Sequence, residues 1–153
     1  MKLLLVSAVA ALGMMTGGCW STHLHSAYRK IHQYAINGDV AGVAAELAQH
    51  PDELNLPEDH QLTPLHLAAQ NCYTNVVMLL LNKGAGKNAK ADDKATPLHL
   101  AAQEGCVDVV ELLLARGVKI NERDDQKRTP LLRAKQWHQD DVVQLLQLHG
   151  GTE

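Results

Sequence analysis

Nine histidines and three cysteines are the side chains of this 153-residue chain with the clearest potential for metal binding or redox chemistry. Their spacing does not fit a metal site, because neither Cys-x-x-Cys nor His-Glu-x-x-His occurs. His66 and His99 occupy the same position in two copies of one seven-residue sequence, and we interpret both as hydrogen-bonding partners of a local turn. We therefore expect no bound metal and no cofactor. The alternative, a metal-binding or enzymatic protein, would use His23, His25, His32 or His60.

A catalytic centre is not indicated either. The serines of the chain are Ser7, Ser21 and Ser26, all near the N-terminus, and no glycine-rich phosphate loop is present. The acid pair at 124–125 falls in a predicted turn. The pair at 140–141 falls at a predicted helix start, where acidic groups suit the helix dipole. We expect no catalytic residues and hence a non-enzymatic protein.

The N-terminus has the pattern of a secretory signal. Met1-Lys2 precedes an apolar run that ends at Leu12. As a helix this run is about 15 Å long, whereas a bilayer core is about 30 Å thick. The following Thr16-Gly17-Gly18-Cys19 resembles the lipobox of bacterial lipoproteins. We expect a signal peptide at 1–18, lipidation of Cys19 and a tether at 19–26, which places the chain in the bacterial envelope, facing the periplasm. Soluble periplasmic or secreted protein, or an uncleaved anchor, are the alternatives.

The remaining chain is an array of helical repeats. The sequence TPLHLAA at 63–69 recurs at 96–102, and a degenerate third copy begins at Thr129. Threonine favours a helix N-cap, and proline suits the first helical position because its missing N–H is not needed there. A second apolar stripe with helical spacing runs from 107 to 113. Each copy therefore predicts two short helices.

These motifs resemble the ankyrin family, whose signature is T-P-L-H-x-A at a 33-residue period. The stretch Thr96 to Asn121 follows the family pattern throughout, and the flanking copies are degenerate, as terminal repeats are expected to be. The resemblance implies an all-α solenoid of about four helix-turn-helix repeats with hairpin-like finger loops. The repeat domain covers 27–150, divided at 27–61, 62–94, 95–127 and 128–150. It also implies a protein–protein interaction module.

Three finger positions depart from the family pattern. Where the family usually has glycine two residues before the threonine, this chain has Gln61, Lys94 and Lys127. A left-handed residue other than glycine costs about 1–2 kcal/mol. The turns should therefore either change type or be strained.

Composition and charge restrict the partner. The length suits one domain, and 46% hydrophobic content with 3% aromatics and no Phe predicts a core of Leu, Val and Ala. The formal net charge is −3, and loss of Lys2 with the signal would make the chain more acidic. Nucleic acid and anionic lipid surfaces are disfavoured as partners. We expect a monomer that binds a neutral or basic protein.

Two cysteines fall within the repeats. Cys72 aligns with Gly105, so Cys72 and Cys106 lie at similar heights on neighbouring repeats. Helices in contact are about 8–10 Å apart, whereas a disulfide usually requires Cα atoms within about 7 Å. We expect both cysteines to remain thiols, although their oxidation state cannot be fixed from spacing.

The resemblance also implies a binding surface on the concave face, which fingertips and inner helices form in the family. Trp137 is the leading candidate because tryptophan is enriched at interaction hot spots. The other candidates are Leu62, His60, Lys90, Asp92, Asp93, Arg123, Asp125, Gln126 and Arg128 at the fingers, with Asn71, Gln103 and Glu104 on the inner helices, flanked by Asp59, Ala95, Gln70, Gln136, Asn37 and Ile36.

The sequence leaves the role of such a binder open. An inhibitor or immunity protein, a helper of a periplasmic enzyme and an envelope spacer all agree with it.

Overall fold

The computed structural model describes residues 30–153, so the proposed signal peptide, Cys19 and the tether lie outside the described residues. The described residues form eight α-helices in four consecutive pairs, with a short bend inside each pair. Their bounds are α1 Lys30–Asn37, α2 Val40–Gln49, α3 Pro64–Gln70, α4 Thr74–Asn82, α5 Pro97–Glu104, α6 Val107–Ala115, α7 Pro130–Gln136 and α8 Asp140–Leu148. Two 3₁₀ turns, Pro51–Asn55 and Asp59–Gln61, follow the first pair. The expected all-helical solenoid of four repeats is confirmed.

The core repeats with the sequence. Inner helices α1, α3, α5 and α7 pack through fully buried alanines, such as Ala68 and Ala101, which allow close approach. Outer helices α2, α4, α6 and α8 contribute branched side chains, such as Val109 and Leu113 in α6. Because each helix pair packs mainly on its neighbours, the stack is stabilised repeat by repeat.

The finger loops keep the left-handed turn without glycine. Gln61, Lys94 and Lys127 have φ of 58°, 58° and 60°. Each of the three donates its backbone N–H to the carbonyl three residues earlier, at 2.9 Å. In the second and third fingers the left-handed turn is thus kept at Lys94 and Lys127, which is the strained outcome. The first finger differs, because His60 before Gln61 is also left-handed, with φ of 60°.

An asparagine ladder joins the loops on the opposite side of each repeat. The Oδ1 atoms of Asn55, Asn88 and Asn121, spaced by 33 residues, accept backbone N–H groups of the next repeat at 2.7, 2.9 and 2.8 Å. For Asn121 the donor is Thr152 in the C-terminal tail. The tail therefore occupies the place that a following loop takes in the other repeats.

None of the described helices has the length and apolarity needed to cross a membrane.

Candidate partner-binding surface

His66 and His99 join neighbouring repeats at the base of the fingers. The Nδ1 atom of His66 accepts the backbone N–H of Thr63 at 3.2 Å, which leaves Nε2–H to donate to the carbonyl of Ala95 in the next repeat at 3.2 Å. His99 repeats this arrangement with Thr96 and with the carbonyl of Arg128. Both histidines are fully buried. The interpretation of these residues as turn fasteners is confirmed, and the structure adds their link to the following repeat.

Burial also keeps both rings neutral. It lowers the pKa of His66 and that of His99, the latter to about 4, because a charged imidazole would lose its hydration. The carbonyl acceptors oppose this effect without outweighing it.

The fourth repeat replaces the fastener with an ionic cluster. Leu132 stands at the histidine position, and the next residue, Arg133, is 3% exposed. Arg133 Nε donates to Asp124 Oδ2 at 2.8 Å, and its Nη2 donates to Asp93 Oδ2 at 2.7 Å. Arg128 Nε reaches the same oxygen of Asp124 at 2.8 Å. Arg133 therefore joins the second and third fingers from within the fourth repeat.

The cluster fixes its carboxylates in the charged form. Burial alone raises the pKa of Asp124, but the hydrogen bonds from Arg128 and Arg133 outweigh it and hold the pKa at about 2. The pKa of Asp93 is lowered by the same balance, with burial opposed by the Arg133 hydrogen bond. Sequence reasoning missed Arg133 and Asp124. The available signal was an arginine in a column that holds Leu67 and Leu100 in the two preceding repeats.

Most of the charged finger residues that the sequence predicts to bind a partner protein form ion pairs or hydrogen bonds within this chain. Lys94 pairs with Asp125 at 2.7 Å, and Lys90 pairs with Glu122 at 2.6 Å. Arg123 donates to the backbone oxygens of Lys127 and Glu153. Their charges therefore already contribute to finger geometry.

The other predicted site residues divide by exposure. Leu62 and Gln103 are half-buried, and Ala95 is fully buried, so Ala95 is not an accessible tip position. Trp137 ends α7 and is 56% exposed. The remaining exposed candidates are His60, Asp92, Gln126, Asn71 and Glu104.

The edge opposite the fingers, where inner helices bend into outer helices, has its own repeating contact. We call it the bend edge and define it by residues 37–40, 71–75, 104–108 and 137–141. In each bend one residue is left-handed: Gly38, Cys72, Gly105 and His138 have φ of 71°, 60°, 77° and 57°. The residue after it covers the left-handed position of the preceding repeat. The Tyr73 ring lies against Gly38, and the Gln139 side chain lies against Gly105.

The middle contact of this series is covalent. Cys106 lies over Cys72, and the two form a disulfide with Cα atoms 5.1 Å apart. The prediction of free thiols was wrong. It used the spacing of helix axes, but the bends approach more closely than the axes, and the one-residue offset places Cys106 directly over Cys72. Cys72 is exposed and Cys106 is buried.

Among the described residues, no group of three or more His, Cys, Asp or Glu side chains is arranged to hold a metal ion.

The repeats, their buried fasteners and the finger loops define the class of protein. The family model of ankyrin repeats (3 copies) matches residues 31–124 and 87–152. The chain belongs to the ankyrin-repeat family, whose members are protein–protein interaction modules.

A curated relative adds no particular function. Alpha-latrocrustotoxin-Lt1a of Latrodectus tredecimguttatus is 41% identical to this chain over 56 residues, which is 37% of this chain. The match covers 4% of that protein's length, so the similarity concerns fewer than two repeats.

Proposed function

We propose that this protein is a non-enzymatic binder that holds one partner protein on the concave side of its ankyrin stack. The observation that carries the proposal is Trp137, a large aromatic side chain that is 56% exposed at the end of an inner helix. Exposed aromatic anchors are typical of interaction hot spots. The buried histidines and arginine of the fingers support it indirectly, because their polar atoms serve the fold and leave little for catalysis.

We propose further that the chain works in a bacterial envelope, anchored by a lipid on Cys19 and facing the periplasm. The signal-like N-terminus motivates this location. The Cys72–Cys106 disulfide supports it independently, because disulfides persist in oxidising compartments such as the periplasm and are rare in the cytosol. Mass spectrometry of the mature chain tests the anchor. A lipid-modified Cys19 at the new N-terminus is expected, and an unmodified N-terminus at another residue would contradict it.

Partner capture tests the binding role. The full-length protein is expressed in its envelope, cross-linked and purified, and the co-purifying proteins are quantified for wild type and Trp137→Ala. Leu148→Ala is the matched control, because Leu148 is 84% exposed on the last outer helix, away from the inner-helix ends. We expect a protein that Trp137→Ala loses and Leu148→Ala retains. Equal recovery from all three chains would contradict the proposed surface.

Two finer roles fit such a binder: an inhibitor or immunity protein that blocks a toxin or envelope enzyme, and a helper that stabilises a periplasmic enzyme. The captured protein decides between them. Its activity should fall on addition of the purified ankyrin chain in the first case, whereas its lifetime should increase in the second.

A further inference from the structure

The bend edge combines exposed aromatic side chains with gaps between repeats. Five large hydrophobic side chains are exposed among the described residues, and three of them, Val40, Tyr73 and Trp137, belong to this edge. Two cavities open there. One of about 240 Å³ lies beside the disulfide, and one of about 330 Å³ is lined by Gly105, His138 and their neighbours. Side chains of a docked segment could enter both.

The charge of this edge has one sign. Glu104, Asp108, Asp140 and Asp141 are exposed and make no ion pair with any described residue. The bend segments of the second, third and fourth repeats contain no Lys or Arg. At the fingers, by contrast, Asp93, Asp124 and Asp125 are each paired with a cation of this chain. The bend edge therefore combines several acids that lack an ionic partner with exposed aromatic side chains, whereas Asp52 and Glu111, which are also exposed, lie outside this edge.

An acidic and an aromatic side chain occupy the same position in the third and fourth repeats. Asn71, Glu104 and Trp137 occupy equivalent positions at the ends of successive inner helices. Because α5 and α7 pack on each other, Glu104 and Trp137 lie on neighbouring repeats at the same level of the stack. An arginine can stack its guanidinium on an aromatic face and bind a carboxylate with its N–H groups.

We propose that the bend edge of the second to fourth repeats docks a cationic, arginine-bearing segment of the partner protein, with an arginine stacked on Trp137. This inference rests on the proposed function and adds the chemistry of the partner and the edge that it occupies. Charge complementarity decides the occupant, since an unpaired acidic edge attracts a basic segment and repels an acidic one.

A labelled peptide tests the proposal directly. The probe is a fluorescein-labelled six-residue peptide that alternates arginine and leucine, and binding is followed by fluorescence anisotropy at about 0.15 M salt, where long-range attraction is screened. A peptide with glutamate in place of arginine is the sequence control. We expect the arginine peptide to bind the disulfide-containing protein and the glutamate peptide not to bind.

Charge-matched variants separate the edge from general acidity. The bend-edge triple Glu104→Gln, Asp108→Asn and Asp141→Asn removes three charges, as does the control triple Asp52→Asn, Glu111→Gln and Glu153→Gln on exposed acids outside the bend edge. We expect the Kd to weaken about tenfold or more with the bend-edge triple or with Trp137→Ala, and by less than about twofold with the control triple. Equal weakening by both triples, or no binding to wild type, would overturn the proposal.

The capture experiment keeps this inference distinct from the proposed function. A captured partner that depends on Trp137 but is unaffected by the bend-edge triple would leave the binding role standing and overturn the cationic docking edge. If wild type retains no partner at all, the binding role itself fails, whatever the peptide does.

Discussion

The two edges of the stack are held together by different chemistry. At the finger edge, polar groups are buried and paired: His66 and His99 donate to the next repeat, and Arg133 joins two carboxylates of neighbouring fingers. At the bend edge, a side chain of each repeat covers the preceding bend, and one of these contacts is the Cys72–Cys106 disulfide. The acids of the bend edge have no ionic partner among the described residues.

This difference indicates which edge is available for binding. An interface that recruits Arg128 or Asp125 must first break an internal pair, and the partner must replace it. An interface on Trp137 and Glu104 breaks no ion pair. Residues that vary between repeats can therefore serve the fold at one edge and remain available to a partner at the other.

Of the predicted changes, removal of the bend-edge disulfide should lower the free energy of unfolding the most. Cys72 and Cys106 are 34 residues apart. The loop-closure entropy of a bridge over that distance corresponds to about 3–4 kcal/mol. We expect the free energy of unfolding of Cys72→Ala with Cys106→Ala to fall by about that amount, measured by urea denaturation against the oxidised wild type.

A glycine variant sharpens the same measurement. Cys72→Gly with Cys106→Ala removes the bridge but relieves the left-handed strain at position 72, where φ is 60°. It should be about 0.5–1 kcal/mol more stable than the alanine pair. Wild type in a dithiol reductant should approach the alanine pair. If the reduced wild type unfolds at the same urea concentration as the oxidised protein, the bridge does not stabilise the stack.

Replacing Arg133 at the finger edge should lower the free energy of unfolding almost as much as removal of the disulfide. Arg133→Ala leaves Asp124, whose side chain is 1% exposed, with Arg128 as its remaining cation. Loss of one partner of a buried ion pair typically costs 3–5 kcal/mol, and the surviving Arg128 pair places this case near the lower end, at about 3 kcal/mol. Thermal denaturation measures the loss.

Arg123→Ala is the control for Arg133→Ala, because Arg123 is an exposed arginine that bonds only backbone oxygens. A decrease well under 1 kcal/mol is expected for it. Similar losses from the two variants would mean that the buried ionic cluster stabilises the fold no more than an exposed arginine does.

Acid should weaken the finger edge selectively. The pKa of His99 is 6.5 in the unfolded reference and about 4 when folded, because burial disfavours the charged ring. Below pH 6.5 the unfolded chain binds a proton that the folded chain does not, so stability is complete above about 6.5 and is lost as the pH falls towards 4. His99 alone contributes roughly 3 kcal/mol to this loss, and His66 acts in the same direction.

Urea denaturation between pH 7.5 and 5 measures this slope, because the stability that Asp124 contributes is lost mainly below about pH 5, where its carboxyl becomes protonated in the unfolded chain. His99→Gln should flatten the slope, whereas His149→Gln, at an exposed histidine, should not change it. A slope as steep in His99→Gln as in wild type would assign the pH dependence to other groups.

The helices and the number of repeats could be predicted from the sequence, because the signals for them lie within a few neighbouring residues. Thr96, Pro97 and His99 define the start of an inner helix within four residues, and their recurrence at 33 residues gives the number of repeats. The cross-repeat contacts were harder to predict. Asp93 and Arg133 are 40 residues apart, and only the stacking of three repeats brings them to 2.7 Å.

The disulfide shows a different limit of sequence reasoning. The alignment of Cys72 and Cys106 was available from the repeat period, but the distance between bends was not. Left-handed backbone at 72 and 105 turns the chain so that position 106 packs over position 72. Helix spacing alone overestimates the separation of residues that lie beyond the helix ends.

The smallest expected change in the free energy of unfolding comes from relieving backbone strain, which can be compared between the two edges. Lys127 in a finger and His138 in a bend both adopt left-handed backbone, with φ of 60° and 57°. Glycine would relieve about 1–2 kcal/mol of strain but would add conformational freedom to the unfolded chain, worth about 0.4–1 kcal/mol. Lys127→Gly and His138→Gly should each therefore raise the free energy of unfolding by about 0.5–1 kcal/mol. Urea denaturation of both variants and of Lys135→Gly, within α7, makes the comparison, since glycine inside a helix should destabilise by about 1 kcal/mol. A gain at only one edge would mean that the other position is held left-handed at no cost by its surroundings.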